Sequence, residues 1–305
     1  MKEVIPAINK DLLISELTED KFMRNTNFGD NKIYVCTAHD SPNIMKEIGR
    51  LRELAFRKAG GGTGKEADID SYDTAEIPYK QLIVWDDEDK EIVGGYRFIN
   101  LGELSFKDRE SMKLATQGLL NFSEKFIKEY MPYTIELGRS FVQTNFQSKN
   151  SGRKALFALD NLWDGLGALI KADDKIKYFF GKVTMYTNYD KYARDLILYF
   201  MNHHFEDKSK LVYPIDPLSY HHSEKELKSY FPTEDYDENK KILSKEVRAR
   251  GENVPPLINS YMGLSRTMRC FGTSINTHFG DVEETGILVT INDIYENKKK
   301  RHLEF

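Results

Sequence analysis

Apolar runs rich in β-branched and aromatic residues alternate along this chain with longer segments of helical period. Four runs are predicted as strands, the first two joined in a hairpin by an acidic turn: residues 81–85, 92–99, 133–142 and 177–186. Three amphipathic segments are predicted as helices: residues 44–58, 154–170 and 191–204. Because strands separated by helices form a sheet covered by helical layers, we expect an α/β fold with a central mixed, twisted sheet flanked by helices.

The 305 residues divide into a core and two later segments. Residues 1–205 hold the alternating pattern and are expected to form the core. Residues 206–252 include a highly charged stretch with few apolar residues, 221–251, which predicts an exposed helical insertion or lid. Residues 253–305 turn apolar again, with a closing strand predicted at GILVTIND, and end in the basic sequence KKKRHLEF. This last segment is expected to complete the fold as a C-terminal lobe with a basic tail.

Charge and hydropathy exclude several classes of protein. The 44 Lys and Arg residues against 48 Asp and Glu give a net charge of −4, so no global basic field favours nucleic acid as a partner. The most apolar long stretch, 155–170, contains Asp160 and Asp164 and is shorter than the about 20 apolar residues of a membrane span. The N-terminus lacks the apolar core of a signal peptide, and Cys36 and Cys270 match no metal or redox spacing. We expect a cytoplasmic protein that contacts the membrane at most peripherally, at its inner face.

Signatures of metal and nucleophilic catalysis are absent from the sequence. The glycine-rich run AGGGTGKEAD is similar to a P-loop, but Ala59 stands at its first Gly position and Glu66 at its hydroxyl position, which favours a mobile loop. None of the seven histidines lies in an HExxH or a His-x4-Asp arrangement, and no Gly-x-Ser-x-Gly elbow occurs. We therefore expect no metal site and no covalent enzyme intermediate.

Charged residues are scattered through otherwise apolar elements of the first half of the chain. They are Arg52, Asp70, Asp73, Arg97, Glu136 and Arg139. Burying a charge costs several kcal/mol unless it is paired, so these groups are predicted to be one another's partners. Glu136 and Arg139 would point to opposite faces of one strand unless a bulge intervenes, which Gly138 permits. Two interpretations stay open here: a structural ion-pair network, or a charged cleft that orients a charged substrate.

A polar loop follows the third predicted strand and leads into a helix. Unpaired N–H groups and the positive end of the helix would together form an anion site at this point. The residues predicted to bind a phosphate there are Gln147, Lys149, Asn150, Gly152 and Arg153. Many ordinary loops share this pattern, so the loop alone does not identify a ligand.

Four short motifs, taken in order, resemble those of a known group of enzymes. They are Arg-x3-Phe, Asp-x-Tyr-Asp, Gly-x-x-Arg and Glu-Leu-Gly-Arg-Ser, at residues 52–56, 70–73, 94–97 and 136–140. Their order resembles that of the acyl-homoserine-lactone synthases. It is more similar still to the bacterial N-acyltransferases of ornithine and glycine lipid synthesis, whose members often carry a haemolysin label. The resemblance extends over residues 40–205 and 253–295, and it implies the GNAT-like acyltransferase fold.

The resemblance also implies a reaction and a set of partners. A long acyl chain, carried as a thioester on acyl carrier protein or coenzyme A, would pass to the α-amine of a small amino acid such as glycine or ornithine. Acyl carrier protein is the expected partner, because Asn150 stands where the GNAT pyrophosphate loop has its first Gly, and a carrier's phosphopantetheine presents a single phosphodiester. No permanently bound cofactor is expected.

Roles for the site residues follow from this reaction. An ammonium cannot attack a thioester, so a base must take its proton, with Glu136 the first candidate and Asp70 and Asp73 the alternatives. The three arginines at 52, 97 and 139 would pair with these acids or hold the acceptor's carboxylate. Backbone N–H groups near Phe141 and Val142 would stabilise the thioester oxygen.

Two further expectations concern the acyl chain and rival functions. We expect an apolar tunnel between the strand 177–186 and the helix 156–170, and membrane contact through residues 298–301. The rivals are a non-catalytic module that binds an acyl carrier or a lipid, and a small-molecule N-acetyltransferase that uses acetyl-coenzyme A.

Overall fold

The computed structural model of the chain describes residues 1–104, 113–147 and 152–304, without the side chains of residues 152–156. Its centre is an eight-stranded mixed sheet in the order β1-β2-β3-β4-β6-β7-β10-β9. These strands are β1 (Phe22–Asn25), β2 (Lys32–Cys36), β3 (Lys80–Asp86), β4 (Glu91–Asn100), β6 (Thr134–Val142), β7 (Tyr178–Met185), β9 (Arg269–Asn276) and β10 (Val282–Thr290). A separate two-stranded sheet pairs β5 (Leu120–Phe122) with β8 (Val212–Pro214).

Helices surround both faces of the large sheet. They are α1 (Lys10–Glu16), α2 (Pro42–Ala59), α3 (Gly152–Ala172), α4 (Lys191–His204), α5 (Glu224–Ser229), α6 (Tyr236–Ala249), α7 (Pro256–Met262) and α8 (Glu296–His302). The predicted α/β class, the hairpin β3-β4 and the three main helices are confirmed. The strands β1, β2 and β9 were not predicted, and they lie at the two edges of the sheet.

The two faces of the sheet differ in chemistry, because side chains alternate along each strand. We call face A the side of Leu82, Leu137 and Phe179, which pack in the largest core cluster together with residues of α3, α4, α6 and α7. Face B is the opposite side, and strand register places Gln81 beside Arg97 and Glu136 beside Phe180 on it. Face B is covered in part by α2 and in part by a second aromatic cluster around Phe180.

Strand β6 creates an opening in the middle of the sheet. It runs parallel to β7 only over Thr134–Leu137, opposite Tyr178–Gly181, although both strands continue beyond these residues. On its other side β6 stays antiparallel to β4, with an irregularity where Arg97 pairs with Gly138 and Gly95 with Phe141.

The irregularity in β6 is a β-bulge. Two residues of β6, Arg139 and Ser140, stand opposite the single residue Tyr96 of β4. The bulge that Gly138 permits is therefore present, but the positive φ of 47° belongs to Arg139 and not to the glycine. By adding one residue, the bulge turns the side chains of Glu136 and Arg139 toward the same side of the sheet.

The charged segment 206–252 forms helices α5 and α6, and it also contains β8. Helix α6 packs on α4, and its Leu243 and Val247 are fully buried in the main core. This segment, expected to be exposed, is therefore attached to the body of the protein along an apolar helix face.

The basic C-terminus forms α8, which packs against α3 and does not extend as a free tail. Arg301 pairs with Asp160 at 2.6 Å, and His302 Nδ1 lies 2.8 Å from the Asp164 carboxylate. The two aspartates that interrupt the apolar run 155–170 thus bind the last helix. Within the described residues, the longest apolar helix falls short of what a membrane crossing requires.

The glycine-rich loop after α2 is fastened to the body of the protein. The Glu53 carboxylate accepts the N–H groups of Thr63 at 3.0 Å and Gly64 at 2.7 Å, and Arg57 donates to Glu53 at 2.7 Å. A carboxylate thus occupies the N–H groups that a phosphate would need, which agrees with rejecting a P-loop.

The free thiols Cys36 and Cys270 are buried, and burial raises the pKa of each to about 12.

Candidate active site

The gap between β6 and β7 is a cleft that connects the two faces of the sheet. Its empty space amounts to about 720 Å³, including the solvent-open part. On face A it is lined by apolar and aromatic side chains, namely Tyr96, Leu137, Phe179, Leu257, Tyr261 and Ile287. On face B its charged and polar lining consists of Arg97, Glu136, Arg139, Lys182, Thr184 and Glu284, and the apolar residues Phe56, Ala115, Phe180 and Phe279 line it there too. A single opening therefore joins an apolar pocket on face A to a pocket on face B that holds the charged side chains.

Five of the six predicted charged residues, all except Glu136, converge beneath face B in one ion-pair network. Arg52 extends from α2, and its guanidinium lies 3.4 Å from Asp73 Oδ1 and also donates to Gln81. Arg97 donates to both Asp70 oxygens, at 2.7 and 2.8 Å, and lies 3.3 Å from Asp73 Oδ2. Burial alone would raise the pKa of Asp73, but the Arg52 and Arg97 guanidiniums hold it at about 2.

Arg139 joins this network from the bulge. Its Nε donates to Asp68 at 2.8 Å, its Nη2 lies 3.7 Å from Asp70, and its guanidinium covers the Phe279 ring at 4.2 Å. Three arginines thus face three aspartates, and the network is neutral overall. Asp68 was missed by sequence reasoning because it looks like an ordinary loop residue in the run EADID.

The members of the network differ in exposure, and their exposure decides which of them can contact a substrate in the cleft. Arg52 and Asp73 are fully buried and lie behind the cleft wall, which fits the structural interpretation of the network. Asp70 is partly exposed but does not line the cleft. Of the six predicted residues, Arg97, Glu136 and Arg139 line it directly.

Glu136 is a buried carboxylate on the cleft wall. The Tyr79 hydroxyl donates to its Oε2 at 2.8 Å, and Tyr79 in turn accepts the N–H of Ala115 at 2.9 Å. Its Oε1 has no hydrogen-bond partner among the residues that the structure describes. Burial raises the pKa of Glu136, although the Tyr79 hydrogen bond opposes the shift. A carboxylate with a raised pKa is a better proton acceptor than an exposed one.

A second charged pair faces Glu136 across the cleft. Lys182 on β7 forms an ion pair with Glu284 on β10, and both side chains are at least nine-tenths buried. Asn276 donates to Glu284 at 2.9 Å. Burial alone would raise the pKa of Glu284, but the charge and hydrogen bond of Lys182 lower it. Sequence reasoning missed this pair, although a lysine within the run KYFFGKVTMY carries the same signal as Arg97.

The face A wall of the cleft differs from the expected acyl tunnel. The predicted strand 177–186 contributes as expected, through Phe179 and Gly181, whereas its Phe180 lines the cleft from face B. Helix α3 does not, because its described side chains pack over β3 and β4, and Leu257 and Tyr261 of α7 close the cleft instead. Trp163 of α3 lies behind Tyr261, with ring centroids 5.2 Å apart.

The residues predicted to bind the acyl donor are only partly within the described structure. The cleft is lined by Gly138–Ser140, and Phe141 and Val142 lie just beyond this stretch. The Gln143 N–H donates to the Val93 carbonyl of β4. Because successive N–H groups of a strand point to opposite sides, the Val142 N–H points away from β4 and toward the gap beside β7. The Gln147 amide donates to Val142 O at 2.6 Å.

The anion loop itself falls mostly outside the described residues. Lys149 and Asn150 are not described, and neither is the side chain of Arg153. Strand β6 ends at Val142 and helix α3 begins at Gly152, as the predicted order of strand and helix requires. Among the described residues, no group of three or more His, Cys, Asp or Glu side chains is placed to hold a metal ion.

Known proteins resemble this chain in sequence over part or all of its length. The acetyltransferase (GNAT) domain family matches residues 51–155, a range that includes the six predicted charged residues. A glycine N(alpha)-acyltransferase of Phocaeicola vulgatus is 57% identical over 100% of this chain and 93% of its own length. A glycine N(alpha)-acyltransferase of Bacteroides thetaiotaomicron is 55% identical over 100% of this chain and 90% of its own length.

Solved structures that align with this chain include two proteins of low sequence identity. The AHL synthase LasI aligns with a TM-score of 0.42 at 12% identity, over 89% of this chain and 94% of its own. TofI in an apo form aligns with a TM-score of 0.38 at 10% identity, over 85% of this chain and 90% of its own.

Proposed function

Since this chain belongs to the GNAT-type N-acyltransferase family and is an acyltransferase, we propose that it transfers a long-chain acyl group from a carrier thioester to the α-amine of glycine. The names of the two relatives support glycine as the acceptor, at 55–57% identity over the full chain. The observation that carries the proposal is the cleft through the sheet, with an apolar end on face A and a charged end on face B.

The two ends of the cleft suit the two substrates. The acyl chain enters from face A, where each buried CH₂ contributes about 0.8 kcal/mol. The thioester carbon lies in the gap, beside the backbone of Gly138–Ser140. The amino acid approaches from face B, where Glu136, Arg139 and Lys182 provide charge. This arrangement keeps the polar acceptor apart from the apolar donor until they meet in the gap.

In the proposed reaction, Glu136 acts as the base. It takes one proton from the glycine ammonium, and the amine lone pair then forms the new C–N bond at the thioester carbon. The C–S bond breaks, its electron pair leaves with sulfur, and the thiolate takes a second proton from the attacking nitrogen. The products are an N-acylglycine, the carrier thiol and one proton, which Glu136 releases to solvent. Backbone N–H groups of β6 that face the gap, including that of Val142, would stabilise the oxyanion.

We assign the donor to acyl carrier protein, with acyl-coenzyme A as the alternative. A carrier presents its chain through one phosphodiester, and the start of α3 at Gly152 supplies unpaired helix N–H groups for it. In the sequence, Lys149 and Arg153 add positive charge near this point.

The product would be a lipid, so we place the enzyme at the inner membrane face. Arg301 is paired with Asp160, and Lys299 lies 4.0 Å from Glu296 and donates to Asn292 O, which leaves Lys298 and Lys300 as the charges of α8 that would meet an anionic leaflet. The test is binding to vesicles that contain anionic lipid, with neutral vesicles as the control. Equal binding to both would remove the membrane from the proposal.

Mass spectrometry of the reaction products tests the proposed reaction. The purified protein is incubated with palmitoyl-acyl carrier protein, palmitoyl-coenzyme A or acetyl-coenzyme A, each with glycine or with ornithine. We expect N-palmitoylglycine, formed faster from the carrier protein than from coenzyme A. Product from acetyl-coenzyme A alone would instead indicate a small-molecule acetyltransferase. Tight binding of the acyl carrier without any product would indicate a non-catalytic module.

A further inference from the structure

The reaction as described so far gives Lys182 no more than a general positive charge near the acceptor, and it gives its buried partner Glu284 no part. Both residues line the face B end of the cleft, on adjacent strands opposite Glu136. We propose that this pair is the acceptor site, with Lys182 holding the α-carboxylate of the amino acid and Glu284 its α-ammonium. The assignment rests on the proposed function and adds to it the class of acceptor: a zwitterionic amino acid rather than a simple amine.

Lys182 has donor capacity left for a carboxylate. An ammonium group carries three N–H donors, and Glu284 is the one partner of Lys182 among the described side chains. Its side chain is 9% exposed, so bulk water reaches it poorly. A cation in this state, on the wall of a cleft, gains most from an anionic ligand that brings two acceptor oxygens.

The nearby arginines are less suited to hold the acceptor's carboxylate. Arg52 is fully buried and does not line the cleft, and Arg97 is 2% exposed with aspartate oxygens at 2.7, 2.8 and 3.3 Å. Arg139 lines the cleft but is bound to Asp68 and covers Phe279. Of the described cations that line the cleft on face B, Lys182 therefore has the fewest carboxylates within ion-pair distance, one against two each for Arg97 and Arg139.

A zwitterionic acceptor can also be buried in the cleft without leaving a charge unpaired. Burying a lone carboxylate or ammonium costs several kcal/mol, and a simple amine would bring one unpaired charge into the cleft. A zwitterion exchanges the ion pair between Lys182 and Glu284 for two new pairs of the same kind. Every charge then keeps a counter-charge, and the carboxylate of the ligand fixes where its nitrogen lies.

The two glutamates of the cleft are suited to different tasks. The charge and hydrogen bond of Lys182 lower the pKa of Glu284 despite its burial, whereas burial raises the pKa of Glu136. Glu284 therefore stays ionised and orients the ammonium, while Glu136 takes the proton. The contrast agrees with the assignment made above from the contacts and burial of the pair.

The test compares glycine with glycinamide, which has the same amine and lacks the carboxylate. Initial rates are measured with the acyl donor saturating for the wild type, Lys182→Gln and Lys182→Arg. The control is Lys177→Gln, because Lys177 is exposed at the start of the same strand and covers the Tyr133 ring outside the cleft.

We expect Lys182→Gln to lower kcat/KM for glycine about 10- to 100-fold, mainly through KM, as for a lost charged hydrogen bond. Glycinamide turnover should change less than about threefold, so the preference for glycine should collapse. Lys182→Arg should retain much of that preference, and Lys177→Gln should behave as the wild type.

Two results would overturn the assignment. An unchanged ratio of glycine to glycinamide in Lys182→Gln would show that Lys182 does not bind the carboxylate. Equal losses of kcat for both acceptors would instead place Lys182 at the thioester oxygen. The double variant Lys182→Met/Glu284→Leu removes both charges and serves if the single variant misfolds. It should lower turnover of both acceptors, because Glu284 binds the ammonium of each, but the loss should be larger for glycine, so the ratio of glycine to glycinamide should still fall. Absence of product in the wild type would refute the proposed function itself, and this outcome is distinct from the two results that would overturn the assignment of Lys182.

Discussion

Replacing Arg52 by methionine tests whether the buried network stabilises the protein. Methionine fills much of the same space, so the change removes one positive charge from a neutral set of three arginines and three aspartates. Asp73 then keeps Arg97 at 3.3 Å and the Gln81 amide at 3.0 Å as partners. We expect a loss in unfolding free energy of about 2–4 kcal/mol at pH 7, because removing one partner of a buried pair leaves the other uncompensated.

The pH dependence of this loss follows from Asp73. Its pKa of about 2, against 3.8 ordinarily, corresponds to about 2 kcal/mol at about 1.36 kcal/mol per pKa unit. Because the folded-state value is depressed, this stabilisation is complete above the unfolded-state pKa and is lost as the pH falls toward 2. Arg52 is a main cause of the depression, so the Asp73 pKa should rise in the variant. The stability of the variant should then fall less than that of the wild type between pH 5 and pH 3.

Urea unfolding at pH 7, 5 and 3 measures both quantities, provided that the m-value is unchanged. Lys128→Met is the control, since Lys128 forms an exposed ion pair with Glu124 at 2.8 Å. An exposed pair contributes about 0–1 kcal/mol, so this control should lie near the wild type. A loss below about 1 kcal/mol for Arg52→Met, with no change in pH dependence, would refute the account of the network.

Two further predictions concern the cleft and the strand pair beside it. Tyr79→Phe removes a hydrogen bond that lowers the pKa of Glu136, so the acid limb of the plot of kcat/KM against pH should move to higher pH. An acid limb that stays in place or moves to lower pH would exclude Glu136 as the titrating base. Gly94→Ala would place a Cβ 2.5 Å from Phe141 O and should lower the melting temperature by an amount equivalent to about 1–3 kcal/mol of stability. The control is Gly118→Ala, whose Cβ would have no atom within 4 Å and should leave the melting temperature unchanged. Equal melting temperatures for the two variants would contradict the close approach of β4 and β6.

The central part of the fold could be predicted from the sequence because its patterns are strong. The runs that form β3, β4 and β7 are long and rich in β-branched and aromatic residues, and α3 and α4 have clear apolar faces. The edge strands lack such runs. For example, β1 has only four residues, of sequence FMRN, and it takes its conformation from pairing with β2.

The candidate site divides in the same way. Charges within apolar strands cost free energy unless they are paired, which is why Arg97, Glu136 and Arg139 could be selected from the sequence. Lys182 and Glu284 satisfy the same criterion but lie about 100 residues apart, and only the pairing of β7 with β10 brings them together. The role of α7 as a cleft wall could not be predicted either, because it depends on how a short helix packs across the sheet.

The most direct test of the central claim is the rate of acyl transfer in a single turnover by Glu136→Gln. This variant keeps the shape of the side chain and an oxygen for the Tyr79 hydroxyl, but it cannot take a proton. Glu103→Gln is the control, since Glu103 is exposed and lies 3.6 Å from Lys80. We predict a rate lower by about 10²–10⁴-fold for Glu136→Gln at an unchanged melting temperature, and a wild-type rate for the control. A folded Glu136→Gln protein that forms N-acylglycine within about threefold of the wild-type rate would contradict the claim.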